Sequence, residues 1–245
     1  DLASLADLAE RNRSALEHSV KPLTFAGRTF DTDAEPVLMG VVNLSRDSND
    51  RESIAVSHAS ALRKAQVLTA QGAHLIDVGA ESSRPDASRL APEEQAASLR
   101  PVVAAMTEAG IAVSVEGYDI TVARAGLESG AAVLNLTGSH QDDLMFAAAA
   151  EFNAAVVLCH VLGAHSRDLD GSDVEADPFP QMMELFAARI ARAAELGVTD
   201  VSIDPGMGFG FRMDDPLSRA HHQATTLLNS FRLRELGAPI CHALP

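Results

Sequence analysis

The chain has 245 residues, of which 47% are hydrophobic, 22% charged and only 4% aromatic, with no Trp. That supplies one sizeable core built mainly from Ala, Val and Leu, at a length usual for a single α/β barrel. The formal net charge of -15 argues against nucleic acid or an anionic membrane as a partner, and no apolar run reaches the roughly 18 residues of a membrane span.

Residues 1–22 form an N-terminal extension without the basic-then-apolar pattern of a signal peptide. The stretch LTFAGRTFDTD, 23–33, reads as a hairpin placed to plug the N-terminal end of a barrel. From residue 36 onward one plan repeats: a short apolar run ends on a polar residue, a loop follows, and then an Ala-rich amphipathic segment. The runs are 36–43, 73–79, 111–116, 131–135, 154–160, 200–204 and 238–243. Helical segments lie at 53–71, 92–109, 119–129, 141–152, 180–196 and 215–236, several closed by a glycine (Gly72, Gly110, Gly130, Gly197, Gly237). Continuously apolar strands joined by helices mean parallel strands covered by helices. No Gly-x-Gly-x-x-Gly follows the first run, which disfavours a dinucleotide-binding sheet. The expected fold is therefore a TIM (β/α)8 barrel forming one domain over 1–245, with the eighth strand and its helix missing from this chain. Cys159 and Cys241 fall within apolar runs and read as buried thiols in a reducing cytosol.

In a parallel barrel the active site lies at the C-terminal ends of the strands. The polar residues there are Asn43, Asp77 with Glu81 and Arg84 beyond it, Glu116, Asn135, His160 and Asp204. Their joint placement points to one small-molecule pocket. Carboxylates and carboxamides suit a flat, nitrogen-rich heterocycle, since an Asp such as Asp204 can accept two N–H bonds from a guanidine-like edge. The glycines after it, Gly208 among them, let the backbone approach a flat ring. Asn43 offers a hard oxygen suited to Mg²⁺, and Arg84 sits where it can meet an anion. His160 and His165 are separated by a glycine-containing loop, which disfavours a zinc pair, and His221 and His222 are expected to be solvated.

MGVVNLSRDS (39–48), GAHLIDVGAESSRP (72–85) and VSIDPGMGFG (201–210) resemble the signature segments of the dihydropteroate synthase family, within the pterin-binding barrel superfamily. SVEGYDITVARAGLESGAAVLNLTG (114–138) fits that family's third and fourth strands, and the resemblance covers about residues 23–243. It implies a cytoplasmic homodimer of folate biosynthesis that joins 6-hydroxymethyl-dihydropterin pyrophosphate to p-aminobenzoate and releases pyrophosphate. It implies Asn43 as a holder of Mg²⁺ on the pyrophosphate, and Asp47, Ser83 and Arg84 as the catalytic loop residues. Glu116, Asn135, Asp204 and Gly208 would contact the pterin.

The chain also departs from the family pattern. Glu116 stands where Asp is usual, Leu136 where an Asp follows the Asn, Phe211 in place of a Lys, and Arg46 and Asn49 in place of Pro and Phe. These departures point to a synthase of weakened activity. The alternatives are a non-catalytic or repurposed pterin-binding paralogue and a methyltetrahydrofolate methyltransferase domain. Arg84, placed for anionic ligands, favours the synthase line over the last.

Overall fold

A strand turns successive side chains to opposite faces. The runs in this chain use that alternation to bury aliphatic residues on one face and to gather polar ones on the other. The computed structural model describes residues 2–45, 47, 52–55, 57–82, 87–168, 177–207 and 215–243. Ser83, Arg84 and Gly208, along with Arg46, Asn49 and Phe211, lie outside the described residues.

The N-terminal extension contains two helices, α1 (Leu2–Arg11) and α2 (Arg13–Glu17). The hairpin β1 (Leu23–Phe25) and β2 (Arg28–Phe30) turns through Ala26 and Gly27 at positive φ. The main sheet comprises β3 (Met39–Asn43), β4 (Leu75–Gly79), β5 (Val113–Gly117), β6 (Val133–Leu136), β7 (Ala155–Cys159) and β8 (Val201–Asp204). All pairs are parallel, and the spatial order is the sequence order β3-β4-β5-β6-β7-β8. Between them lie α3 (His58–Ala70), α4 (Pro92–Glu108), α5 (Ile120–Glu128), α6 (Asp142–Glu151) and α7 (Phe179–Glu195), with α8 (Pro216–Asn229) after β8. Parallel strands in sequence order, each followed by a helix, make the wall of a (β/α) barrel.

Three expectations need correcting. The run 238–243 is a single rung rather than a strand. Ile203 N–H donates to Pro239 O at 2.9 Å and Cys241 N–H to Ile203 O at 2.7 Å, so the described sheet has six strands. Pro239 has no N–H to offer a longer ladder. The helix expected over 53–71 starts only at His58, after a capping box in which Ser57 and Ser60 satisfy each other's N–H. The residues before it serve the sheet instead, with Asn43 N–H donating to Ser53 O at 2.9 Å and Ala55 N–H to Asn43 O at 2.8 Å. The segment 215–236 is α-helical only to Asn229 and continues as a 3-10 helix, Ser230–Leu236. The change of pitch buries Leu233 in the core while Arg232 pairs with Asp177.

The core has three parts. Ile76, Val78, Val113, Val115 and Leu99 pack between the first strands and α3–α5, and Leu134, Leu136, Leu158, Ile203 and Phe186 between the later strands and α5–α7. The third part fills the barrel interior, where Leu23 and Phe25 of the hairpin meet Leu75, Val133, Ala155, Val157 and Cys159. Close approach in the outer layer depends on Gly126 of α5, because a Cβ there would fall 2.7 Å from Val115 Cγ2.

Candidate active site

The registers place the polar residues side by side. Asn43 lies opposite Gly79, Asp77 opposite Ser114, Glu116 opposite Asn135, and Cys159 opposite Asp204. With a period of two these residues share the inner face, while Val78, Val115, Leu136, Leu158 and Ile203 face the helices. Asn135 Nδ2 donates to Asp77 Oδ2 at 3.0 Å, and Asn135 Oδ1 accepts from the Cys159 thiol at 3.2 Å. Asp204 Oδ1 accepts Gly206 N–H at 2.8 Å, where Gly206 takes a positive φ of 76°. That glycine cannot be replaced cheaply, since a Cβ on it would fall 2.4 Å from the His160 carbonyl oxygen.

Gly79 opens the next part of the site. A Cβ there would lie 2.7 Å from Glu116 Oε2 and 3.1 Å from Asn43 Oδ1, so these two oxygens converge over one glycine. Asn43 Nδ2 donates to Ser53 Oγ at 2.7 Å, which orients the amide with its oxygen toward Glu116. This is a pair of hard oxygens at the mouth, compatible with a small divalent cation that keeps most of its coordination for water and substrate phosphate. Asp47 sits on the exposed connection after β3, and its carbonyl accepts the Ser82 hydroxyl at 3.0 Å.

The electrostatics are those of buried acids. Burial pushes the Glu116 carboxyl up to about 8, aided by the negative charge of Asp77 and Glu81 and eased by Thr137. Burial also raises Asp204, to about 6, and raises Asp77, with Ser114 and Asn135 offsetting part of the latter. Among the described residues, Asp77 Oδ1, Ser114 Oγ and Thr137 Oγ1 are buried without a partner at ordinary hydrogen-bond geometry, although Ser114 stands toward Asp77 and Thr137 toward Glu116. Cys159 and Cys241 are both raised, chiefly by burial, Cys241 to about 12, which keeps them as inert thiols.

Three expected positions differ. His160 does not join the ring. Its imidazole packs near the Phe186 ring on the helix side, where burial and the Arg189 charge lower it to about 4. Cys159, one residue earlier, holds the inner-face position instead. Leu136 is buried among the outer core leucines, so the substitution there falls on packing and not on the pocket. Ser114 and Thr137 were missed as inner-face groups, although strand parity counted back from Glu116 and forward from Asn135 would have found both. His222 is half-buried rather than solvated. It lines a recess of about 400 Å³ between α1, the start of α7 and α8, which contains none of the ring residues.

The family model described as pterin binding enzyme matches residues 39–238. The dihydropteroate synthase of Bacillus subtilis is 30% identical over 207 residues, which cover 83% of this chain and 68% of that protein. The structure of the Yersinia pestis dihydropteroate synthase with a sulfonamide drug superposes with a TM-score of 0.76 at 26% identity, covering 91% of this chain and 79% of that one. The Thermus thermophilus enzyme in complex with 4-aminobenzoate gives 0.74 at 30% identity, covering 91% and 77%. With the inner-face ring and the parallel sheet behind it, these matches show that the chain belongs to the pterin binding enzyme family, as a dihydropteroate synthase-type transferase.

Proposed function

We propose that this chain binds 6-hydroxymethyl-dihydropterin pyrophosphate in the ring and transfers the pterin methylene to the amine of p-aminobenzoate, at a reduced rate. The observation that carries this reading is the convergence of Glu116, Asn135, Asp77 and Asp204 on one inner face at the C-terminal end of one sheet. Asp204, held by Gly206 N–H, presents its carboxylate to the amino-pyrimidine edge of a pterin, and Asn135 offers both amide functions. Glu116 meets the same ring from the neighbouring strand. Asn43 would hold Mg²⁺ beside the pyrophosphate, with the Glu116 carboxyl adjacent. When bound, the ion supplies charge neutralisation for the leaving group. Asp47, Ser83 and Arg84 are the proposed loop groups for the pyrophosphate and aminobenzoate, and Gly208 lets the backbone approach the pterin. The chemistry needs no protein nucleophile, and the raised thiols supply none.

Glu116 is the reason for a reduced rate. Its carboxyl carries one methylene more than the family's Asp and has met Asn43 over Gly79. A misplacement near 1 Å can cost about a hundredfold in rate. The domain is taken as one barrel over 1–245, active in the cytoplasm. The exposed Leu217, Leu227 and Leu228 of α8 support a homodimer, which sedimentation of the full chain checks.

The test is calorimetric titration with the pterin pyrophosphate, with and without Mg²⁺, followed by turnover with p-aminobenzoate. Glu116→Asp is expected to tighten binding by about 1 kcal/mol, and Arg84→Ala to weaken pyrophosphate binding by about 1–3 kcal/mol. Turnover near the common ~10 s⁻¹ with Glu116→Asp neutral would refute the reduced rate. Failure to bind any pterin would refute the whole reading. Binding without turnover selects the non-catalytic pterin-binding alternative, which the altered Glu116 position favours.

A further inference from the structure

Among the described residues, the mouth of the barrel contains a buried cation on the acid side of the ring. Arg167 lies in the connection after β7 and Glu81 in the connection after β4. Their side chains are 2% and 6% exposed, and Arg167 Nη1 stands 3.2 Å from Glu81 Oε1. The same guanidinium donates to the carbonyl oxygens of Ser88 and Ala87, from Nη1 at 3.3 Å and from Nη2. Glu81 is engaged further, since Oε1 accepts Leu90 N–H at 3.0 Å and Oε2 accepts the Tyr118 hydroxyl. Tyr118, after β5, stacks on His165 at 4.2 Å between ring centroids, and Arg167 N–H donates to His165 Nδ1 at 3.3 Å. Ser82, next to Glu81, binds the Asp47 carbonyl after β3. One guanidinium therefore stands at the centre of contacts that join four connections.

We propose that Arg167 is a positioning residue for the transfer: it pins the connection after β4 at Glu81 and again at Ala87 and Ser88, on either side of the stretch 83–86. The inference rests on the transferase reading above, because the sequence between those two points carries Ser83 and Arg84, the groups proposed for the pyrophosphate. The geometry favours positioning over charge alone. A guanidinium presents five N–H donors in a rigid plane, which lets it serve a carboxylate and two carbonyls at once; an ammonium is a flexible point charge. The charge has a second consequence. Asp77, Glu81, Glu116 and Asp204 all line this end of the sheet, and an anionic substrate must approach them. Pairing with Arg167 cancels the Glu81 charge at the rim.

Two variants of the full chain separate the effects. Arg167→Lys keeps the charge but loses the fork, and Arg167→Met loses both. Amide hydrogen exchange in the ligand-free protein reads the pin directly at Leu90 N–H, which depends on Glu81. Both variants are expected to speed exchange over 88–91 and to leave β7 and α7 unchanged. Both are expected to raise KM for the pterin pyrophosphate about tenfold, the size of one lost charge-assisted hydrogen bond, while kcat moves less than about threefold. Wild-type exchange and wild-type KM in Arg167→Lys overturn the proposal, since charge alone then suffices. A fall in kcat with KM unchanged also overturns it. If Arg167→Met does not fold, Arg167→Lys and Glu81→Gln give the same reading at Leu90. If the unmodified protein shows no turnover, the transferase reading fails by itself and the exchange data still decide whether Arg167 pins the connection.

Discussion

At the scale of single residues the site is a set of acids held above their ordinary range. Glu116 rises from 4.5 to about 8 and Asp204 from 3.8 to about 6, both chiefly through burial. A carboxyl whose folded value lies above its unfolded value favours the native state when protonated. That contribution is complete below the unfolded value and is lost as pH rises through the folded one. The ligand-free protein is therefore expected to lose stability from about pH 4 upward, over overlapping windows that end near pH 6 for Asp204 and near pH 8 for Glu116. Asp204→Asn should reduce the slope below about pH 6, and Glu116→Gln should remove the slope between about pH 6 and 8. Melting temperature measured from pH 4 to 9 checks this, and an unchanged slope in both variants would remove these carboxyls as the cause. In the proposed binding mode, N–H donors of a pterin on the Asp204 carboxylate would favour its charged form and reverse the bias there. The strand-end positions of Asn43, Glu116, Asn135 and Asp204 were legible in the sequence because each closes an apolar run. Cys159 was not legible as an inner-face group, because a cysteine and a histidine at adjacent positions give no hint of which one turns inward.

Elements meet through buried polar joints as well as through apolar faces. Arg189 of α7 is buried, and its Nε and Nη2 form a two-point pair with Asp142 at the start of α6, at 2.7 and 2.8 Å. It also donates to the carbonyl oxygens of Cys159 and Gly138 at 2.9 Å each. These carbonyls stand at the end of β7 and beyond β6, where the ladder no longer satisfies them. Removing one partner of a buried pair leaves the other charge uncompensated. Arg189→Met is therefore expected to destabilise the fold by about 3–5 kcal/mol, a loss that urea denaturation would measure. A loss under about 1 kcal/mol would mean that water replaces the guanidinium. None of this was legible in the sequence. An Arg in the amphipathic pattern of 180–196 reads as solvated, and only the fold brings it against two strand ends. The helix stops were legible, and Gly110 and Gly130 take φ of 75° and 101°, as a left-handed exit requires.

For the whole molecule, the hairpin and the N-terminal helices contribute unequally. Phe25 is 3% exposed, stacks on Phe30 at 4.6 Å and packs into the barrel interior. Thr24 N–H donates to the Asp200 carboxylate at 2.7 Å, tying the hairpin to the segment that leads into β8. Helix α1 buries none of its residues, and the chain after α2 is held by Lys21 N–H to Gly237 O at 2.9 Å and by the Arg234–Asp33 pair. Phe25→Ala should cost about 3–5 kcal/mol, as for a large buried aromatic. Deleting residues 2–11 should cost about 0.5 kcal/mol or less. Thermal melts of the two proteins decide between a hairpin that fills the barrel and one that merely covers it. Among the described residues no helix is long and apolar enough to cross a membrane.

The sequence alone determined the parallel order of the strands, the helices between them and the end of the sheet at which the polar residues gather. Those features follow from local pattern: continuous apolar runs need cover on both faces, and glycines stop helices where the backbone must turn left-handed. Only the tertiary structure decided which polar residues meet on the inner face. Registry between strands brings Glu116 to Asn43 over Gly79, places Asn135 between Asp77 and Cys159, and sends His160 and Leu136 to the helix side. It also decided where the buried cations go, because a guanidinium finds its carbonyls only once distant strand ends have been placed beside each other. Each strand carries its own alternation in its sequence, but the distance across a barrel mouth is set by all the strands together.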